Sequence, residues 1–246
     1  MDRMLYLAMT GAKHAMQNQQ QVSHNLANAN TTGFRADFQA LLQAPVSGPG
    51  HDSRAYSELA TTGSDLSQGA MLNTGRQLDV AIQGEGWIAV QAPDGTEAYT
   101  RRGDFHINPN GLLETGDGNL VLGEGGPVAV PPAQKVEIGQ DGTLSVVPLG
   151  QAANTLAVVD RIKLVQPDNA AMGKGEDGLF RHASGEPQPA DANVRVNTGM
   201  LESSNVNLVD GLVQMIDNAR RYEAYVKLMS EAKSNDEQAQ RLLRNS

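Results

Sequence analysis

The chain has 246 residues, 39% of them hydrophobic and 4% aromatic, with a formal charge of −9 at neutral pH. This is enough apolar material for one large or two smaller domains whose cores rest on Leu, Val, Ile, Ala and Met. The acidic balance excludes nucleic acid as a main partner, because phosphate neutralisation needs clustered Lys and Arg, whereas Arg101–Arg102 and Arg220–Arg221 are isolated pairs expected to be solvated or ion-paired.

Residues 1–27 place Met1, Leu5, Ala8, Ala12, Ala15, Gln19, Val22 and Leu26 at alternating spacings of four and three. This is the stripe of an amphipathic helix that needs a partner. The helix is expected from about Asp2 to Leu26 or Asn28, with Asp2 at the positive end of its dipole. Ala8, Ala12 and Ala15 leave room for another backbone to come close, and Gln17–Gln21 is expected on a solvated or subunit-facing side. The opening MDRMLYLAMTGAKHAMQ has only short apolar runs broken by Lys13, so no secretory signal is expected. No stretch approaches the roughly 20 apolar residues of a membrane span, so no membrane insertion is expected either.

The helix is expected to stop in NLANANTTGFRADF, where Asn28, Asn30, Thr31, Thr32 and Gly33 break the period and Phe34 and Phe38 follow as apolar anchors. Residues 35–75, with PVSGPG, TTGSD and NTG, read as an extended connector with irregular strands that becomes ordered against neighbours. Over 76–199 the period changes to two, and turn signals recur roughly every eight to twelve residues. LDVAIQ, GWIAVQ, EAYTRRGDFHIN, GLLET, NLVLG, VAVP, VEIG, GTLSVV and RIKLVQ are the expected strands. Tight turns between them favour antiparallel pairing in a sandwich or barrel-like module. Gln166–Ala192 reads as a long surface loop around a short strand at Leu179–Arg181.

Residues 200–246 carry the second helix. Asn207 is suited to cap it and Asp210 to complete a capping-box-like start. Leu208, Leu212, Met215, Ala219, Tyr222, Val226 and Met229 form its apolar stripe, with Ile216 beside them. A reach to Arg244 gives on the order of 50 Å, long for a compact domain of this size. Asp217–Arg221, Glu223–Lys227, Lys233–Glu237 and Glu237–Arg241 are spaced for ion pairs worth about 0.2–0.5 kcal/mol each. Gly211 costs about 1 kcal/mol against alanine, which points to a close contact there.

Chemistry-bearing motifs are weak. Counting His106 as the first position, Asn108, Asn110, Gly111 and Asp117 imitate a calcium loop, but the first ligand is not Asp and the flanks are strand-like. Gly84–Gly86 lacks the third glycine and the helix of a dinucleotide fingerprint, and Gly173–Gly178 lacks the GK[ST] of a phosphate loop. His14, His24, His51, His106 and His182 have no metal-ligand spacing, and without cysteine there are no thiolate sites or disulfides. No metal or cofactor is expected. Glu85, Asp104, Glu114 and Asp117 lie in one β module and could form a hydrolytic carboxylate pair acting on cell-wall glycan. The simpler reading is that they sit in solvated turns.

VSHNLANANTTGF at 22–34 resembles the N-terminal signature of the flagellar axial proteins, the rod and hook family of the bacterial flagellum. QLDVAIQGEGWIAV at 77–90, YTRRGDFHINPNGLL at 99–113, GMLESSNVNLVDGLVQMI at 199–216 and NARRYEAYVKLM at 218–229 resemble further blocks of its short rod members, in order. MDRMLYLAMTGA, GEGGPVAVPP, DGLFR and the overall length are most similar to the proximal-rod branch, with the distal-rod branch as the alternative. Asn25, Leu26, Ala27, Asn28, Thr31, Gly33 and Phe34 fall on the signature, and Ser204, Asn205, Val206 and Asn207 on the block that starts the last helix. His24 departs from the asparagine common at its place.

The resemblance implies an α+β fold in which N- and C-terminal helices form a coiled-coil axial core as an inner layer, with an inserted all-β domain, a sandwich or barrel-like module, outside it. It implies a non-enzymatic structural part of the rod in the periplasmic space, exported unfolded by the flagellar type III apparatus without a cleaved signal. The implied partners are further copies of the chain and other rod proteins. The residues expected at the assembly interface are Leu5, Ala8, Ala12, Ala15, Val22, Asn25, Leu26, Asn28, Gly33 and Phe34, with Leu208, Leu212, Met215, Ile216, Ala219, Tyr222, Val226 and Met229.

Overall fold

The computed structural model describes residues 2–45, 55–150 and 155–244. Met1 of the first stripe, residues 46–50 of the PVSGPG stretch and His51 lie outside the described residues. The chain forms two compact units, one made of Met1–Asn28, Asp37–Gly63 and Val206–Ser246, the other of Ala29–Ala36 and Ser64–Asn205.

The first unit is built on two helices, α1 (Asp2–Ala27) and α2 (Leu208–Arg244). The side chain of Asn207 accepts hydrogen bonds from the N–H groups of Val209 (3.1 Å) and Asp210 (3.3 Å), satisfying donors that a helix start leaves open. Leu26 lies beside Gly211 and Gly11 beside Tyr225, so the helices run antiparallel. Roughly the last ten residues of α2, about 15 Å of helix, therefore run past the start of α1. The segment read as an extended connector carries more regular structure than expected: strands Asp37–Pro45 and Ala55–Ser64 pair in a two-stranded sheet, and Met71–Asn73 is also a strand. Its DFQALLQA and AYSELATT runs hold β-compatible residues that Gly and Pro elsewhere in the segment obscure.

Among the described residues the second unit is all-β apart from one 3-10 turn, Asn169–Ala171. Its strands form a nine-stranded sheet, a three-stranded sheet and two two-stranded sheets, and every pairing of described register is antiparallel. The centre is the strand Trp87–Gln91, flanked by Glu97–Thr100 and Leu120–Gly123. Its alternation serves two cores: Ile88 and Val90 join the main cluster with Ile82, Phe105, Leu113, Val121, Leu144 and Leu164, while Trp87 and Ala89 join Tyr99, Val165 and Phe180 on the other side. The Trp87 and Phe180 rings meet at 4.5 Å between centroids. Burial pushes the Tyr99 hydroxyl well above its ordinary range, and its oxygen accepts from the Gln188 N–H at 2.8 Å.

Two expected strands are broken. EAYTRRGDFHIN yields Glu97–Thr100 and His106–Ile107, because residues 103–105 turn back onto 78–80 through Val80 N–H to Gly103 O (2.9 Å) and Phe105 N–H to Leu78 O (3.3 Å). VAVP gives no strand of its own, and Gly126–Pro127 pairs there instead. Within the expected loop 166–192, Phe180–His182 pairs with Met172–Lys174 on one side and with Tyr99 on the other, which ties that loop to the main sheet.

Candidate assembly surface

Between α1 and α2 the seam is made of small residues. Ala8, Ala12 and Ala15 are buried, and Val22 and Leu26 are half-buried, so the α1 stripe faces the partner helix as its spacing predicts. A side-chain carbon on Gly11 would stand 2.4 Å from the Tyr225 ring, so any larger residue there must displace that ring. The close approach expected at Gly211 is not there: a carbon at that place would meet Leu26 Cδ1 at 3.6 Å, an ordinary contact. Tightness belongs to the other helix.

On α2 the line that packs differs from the expected stripe. The less exposed positions are Gly211, Met215, Asn218, Tyr225, Met229 and Ala232. Leu208, Leu212, Ala219, Tyr222 and Val226 are exposed, and of the expected stripe Met215 and Met229 are half-buried. The first turns of α2 are apolar almost all round, so one line meets α1 and a second remains on the surface. Val209 is 70% exposed, Ile216 54% and Leu212 44%, and on α1 Met4, Leu5, Tyr6, Leu7 and Met9 are exposed in succession. Among the described residues none of the four anticipated i,i+4 ion pairs on α2 forms. Such exposed pairs gain little over separate hydration.

The signature residues divide between the units. Asn25 clamps the backbone of Asp37 in the first unit, donating from Nδ2 to Asp37 O at 2.9 Å and accepting the Asp37 N–H at 3.0 Å. His24 lies 3.4 Å from the Asp37 carboxylate. Asn28 closes α1, its side chain donating to His24 O at 3.0 Å. In the second unit, Gly33 adopts φ +68° with a Cβ position only 2.5 Å from the Arg101 backbone, so no other residue fits without strain. Lys174 sits 4.0 Å over the Phe34 ring and donates to Arg35 O at 3.0 Å.

Asn205 gathers this second unit's entry and exit segments. It accepts from Ala36 N–H at 2.8 Å and donates to Asp65 O at 2.9 Å and Ser67 O at 3.1 Å. Its own N–H reaches Phe34 O at 3.3 Å.

Beneath the signature loop lies a buried charge cluster that the sequence reading missed. Arg35 Nη2 is 2.6 Å and Arg101 Nη1 3.2 Å from separate oxygens of Glu202, and all three residues are almost fully buried. The carboxylate also accepts from Gly69 N–H at 2.9 Å, and the Glu202 carbonyl accepts from Gly33 N–H at 2.8 Å. Arg101 donates from Nη2 to Gly84 O at 2.9 Å and lies 5.4 Å from the Trp87 ring centroid. Burial lowers its pKa to about 10, with the Glu202 charge opposing that fall. Arg101 is thus buried and ion-paired rather than solvated. Nothing local marks Glu202, whose partners stand 101 and 167 residues earlier in sequence.

The four carboxylates considered for hydrolysis are each engaged. Arg102 lies 2.7 Å from Asp104, His106 and Asn108 hold Glu114, Thr115 donates to Asp117, and Gln166 reaches Glu85 at 3.4 Å. Among the described residues no group of three or more His, Cys, Asp or Glu is placed to hold a metal, and no helix is long and apolar enough to cross a membrane.

Comparison with known families accounts for this arrangement. Residues 5–35 match the family model described as flagella basal body rod protein, 81–146 that of the flagellar hook protein FlgE/F/G D1 domain, and 197–242 that of the flagellar basal body rod FlgEFG protein C-terminal. The chain is 42% identical to the flagellar basal-body rod protein FlgF of Escherichia coli, over 99% of each chain. It is 41% identical to FlgF of Salmonella typhimurium, again over 99% of both, and 32% identical to the flagellar basal-body rod protein FlgG of Bacillus subtilis over 98% of both. With helical ends, an interposed β unit and near-complete overlap with these relatives, the chain belongs to the flagellar basal-body rod protein family, as a structural subunit of the rod.

Proposed function

We propose that this chain is a non-enzymatic subunit of the proximal part of the flagellar rod, and that it polymerises through the exposed apolar faces of α1 and α2. The observation that carries this reading is the second apolar line of α2. Leu208, Leu212, Ile216 and Val226, with Val209 and Val213 beside them, stand on the surface of a helix whose other side is already packed. Contiguous apolar patches of this kind mark interaction sites. A coiled-coil core around the rod axis satisfies them, with Leu5 and its exposed neighbours on α1 meeting adjacent copies or other rod proteins. Ala8, Ala12 and Ala15 support that core from inside the helix pair. Asn25, Asn28, Gly33 and Phe34 fix the loop that follows α1.

The FlgF relatives are the basis for the proximal position. The same reading places the subunit in the periplasmic space after export by the type III apparatus without a cleaved signal, and it uses no cofactor. Helices that complete their burial only on assembly stay dispersed at low concentration, which limits premature polymerisation. Sedimentation of concentrated full-length chain tests the proposal. The double variant Leu212→Ser, Ile216→Ser is expected to lose large assemblies while the β unit melts unchanged. Assemblies of unchanged size would overturn it.

A further inference from the structure

The described methionines divide sharply by exposure. Met4, Met9 and Met16, all in the first half of α1, are 49%, 53% and 55% exposed. Met215 and Met229 of α2, and Met71, Met172 and Met200 of the second unit, are half-buried. Ala8 and Ala15 are buried at the seam with α2, and each step of one residue turns an α-helix by about 100°. Met9 and Met16 follow those alanines at a spacing of seven, so they share one line beside the seam, which Leu5 continues four residues before Met9. Met4, four residues before Ala8, belongs instead to the line of the seam itself.

From this segregation we infer that Met9 and Met16 are oxidation sites through which a peroxide-class oxidant controls association of the chain. This rests on the assembly reading above, in which that side of α1 meets adjacent copies, and it adds the chemistry that regulates the same surface. Thioether oxidation follows exposure, so in the separate chain these sulfurs react before those at the seam and in the β unit. The sulfur lone pair attacks one oxygen of hydrogen peroxide and the O–O bond breaks. The departing hydroxide takes the proton from the transferred oxygen and leaves as water. Sulfur loses two electrons and the peroxide gains them. The product changes what the surface can bury: a flexible thioether packs well against irregular apolar partners, whereas a sulfoxide is polar and is costly to bury where no donor meets it. Oxidation therefore acts on the separate chain and blocks its addition, while copies already assembled cover the sulfurs.

Dilute full-length chain is treated with hydrogen peroxide until mass spectrometry shows Met4, Met9 and Met16 as sulfoxides with the other methionines unmodified, then concentrated and sedimented. The oxidised chain is expected to need a concentration about tenfold higher, or more, to form assemblies, and methionine sulfoxide reductases are expected to restore the original threshold. Met9→Leu with Met16→Leu, a swap close in volume, is expected to assemble normally and to ignore peroxide, whereas Met4→Leu alone stays sensitive. Met9→Gln with Met16→Gln places polar groups on the same line and is expected to raise the threshold without any oxidant. If the oxidised chain assembles at its original concentration, if the leucine pair remains peroxide-sensitive, or if the glutamine pair assembles unchanged, the oxidation inference is overturned and the assembly reading stands. If the untreated, unsubstituted chain forms no assemblies, both are overturned.

Discussion

The β unit and the helical unit treat apolar surface in opposite ways. In the β unit the central strand Trp87–Gln91 buries both faces, and even its charged interior, Arg35, Arg101 and Glu202, is paired. Among the described residues of the helical unit the fully buried apolar ones are alanines, Ala8, Ala12, Ala15 and Ala232, while Val22, Leu26, Met215 and Met229 are only half-buried and many larger Leu, Val, Ile and Met side chains stand on the surface. Burial of a large aliphatic side chain is worth about 1.5–3 kcal/mol, so a seam of alanines leaves most of the available stabilisation unused. A module that closes its own core can fold alone, whereas a helix pair with its larger side chains outside is built to be completed by something else.

Limited proteolysis of the dilute chain gives the widest expected contrast. Residues of α1 and α2 should be cut early while 64–205 survives as a fragment. Equal protection of the ends would break the comparison. Next in size, Glu202→Ala leaves two guanidinium groups buried without their counter-charge, at a cost of about 3–5 kcal/mol. That loss should appear in the melting of the β unit, followed by Trp87 fluorescence. Gly11→Ala follows: crowding against the Tyr225 ring costs about 1–3 kcal/mol, while helix propensity returns about 1 kcal/mol. A net loss of up to about 2 kcal/mol is expected in thermal unfolding monitored by helical circular dichroism, and a gain would show that the ring moves freely. Smallest is the effect of Leu212→Ser with Ile216→Ser on the monomer. Each replacement on an exposed face should stay within about 0.5 kcal/mol of wild type, although the same pair is expected to abolish assembly.

Local signals explain which parts were legible. The bounds of α1 and the start of α2 at Asn207 follow from periodicity and capping chemistry, which act within one or two turns. The turns of the β unit are similarly written in short Gly, Asp and Asn runs. The face that α2 turns to α1 is a different matter. Apolar residues occupy both of its candidate lines, so spacing could not choose between Leu212 and Gly211, and the Tyr225 ring over Gly11 decides it.

What the sequence determined by itself is therefore the set of elements, the two-helix-plus-β organisation and the family, because these rest on periods, caps and contiguous motifs. Tertiary structure alone decided that DFQALLQA pairs as a strand, that Arg101 is buried, that Glu202 joins Arg35 and Arg101, and that Asn218 is buried at the seam of the two helices. Each depends on groups brought together from distant positions. The energy of a buried charge or amide is set by its neighbours in space, which no local pattern encodes.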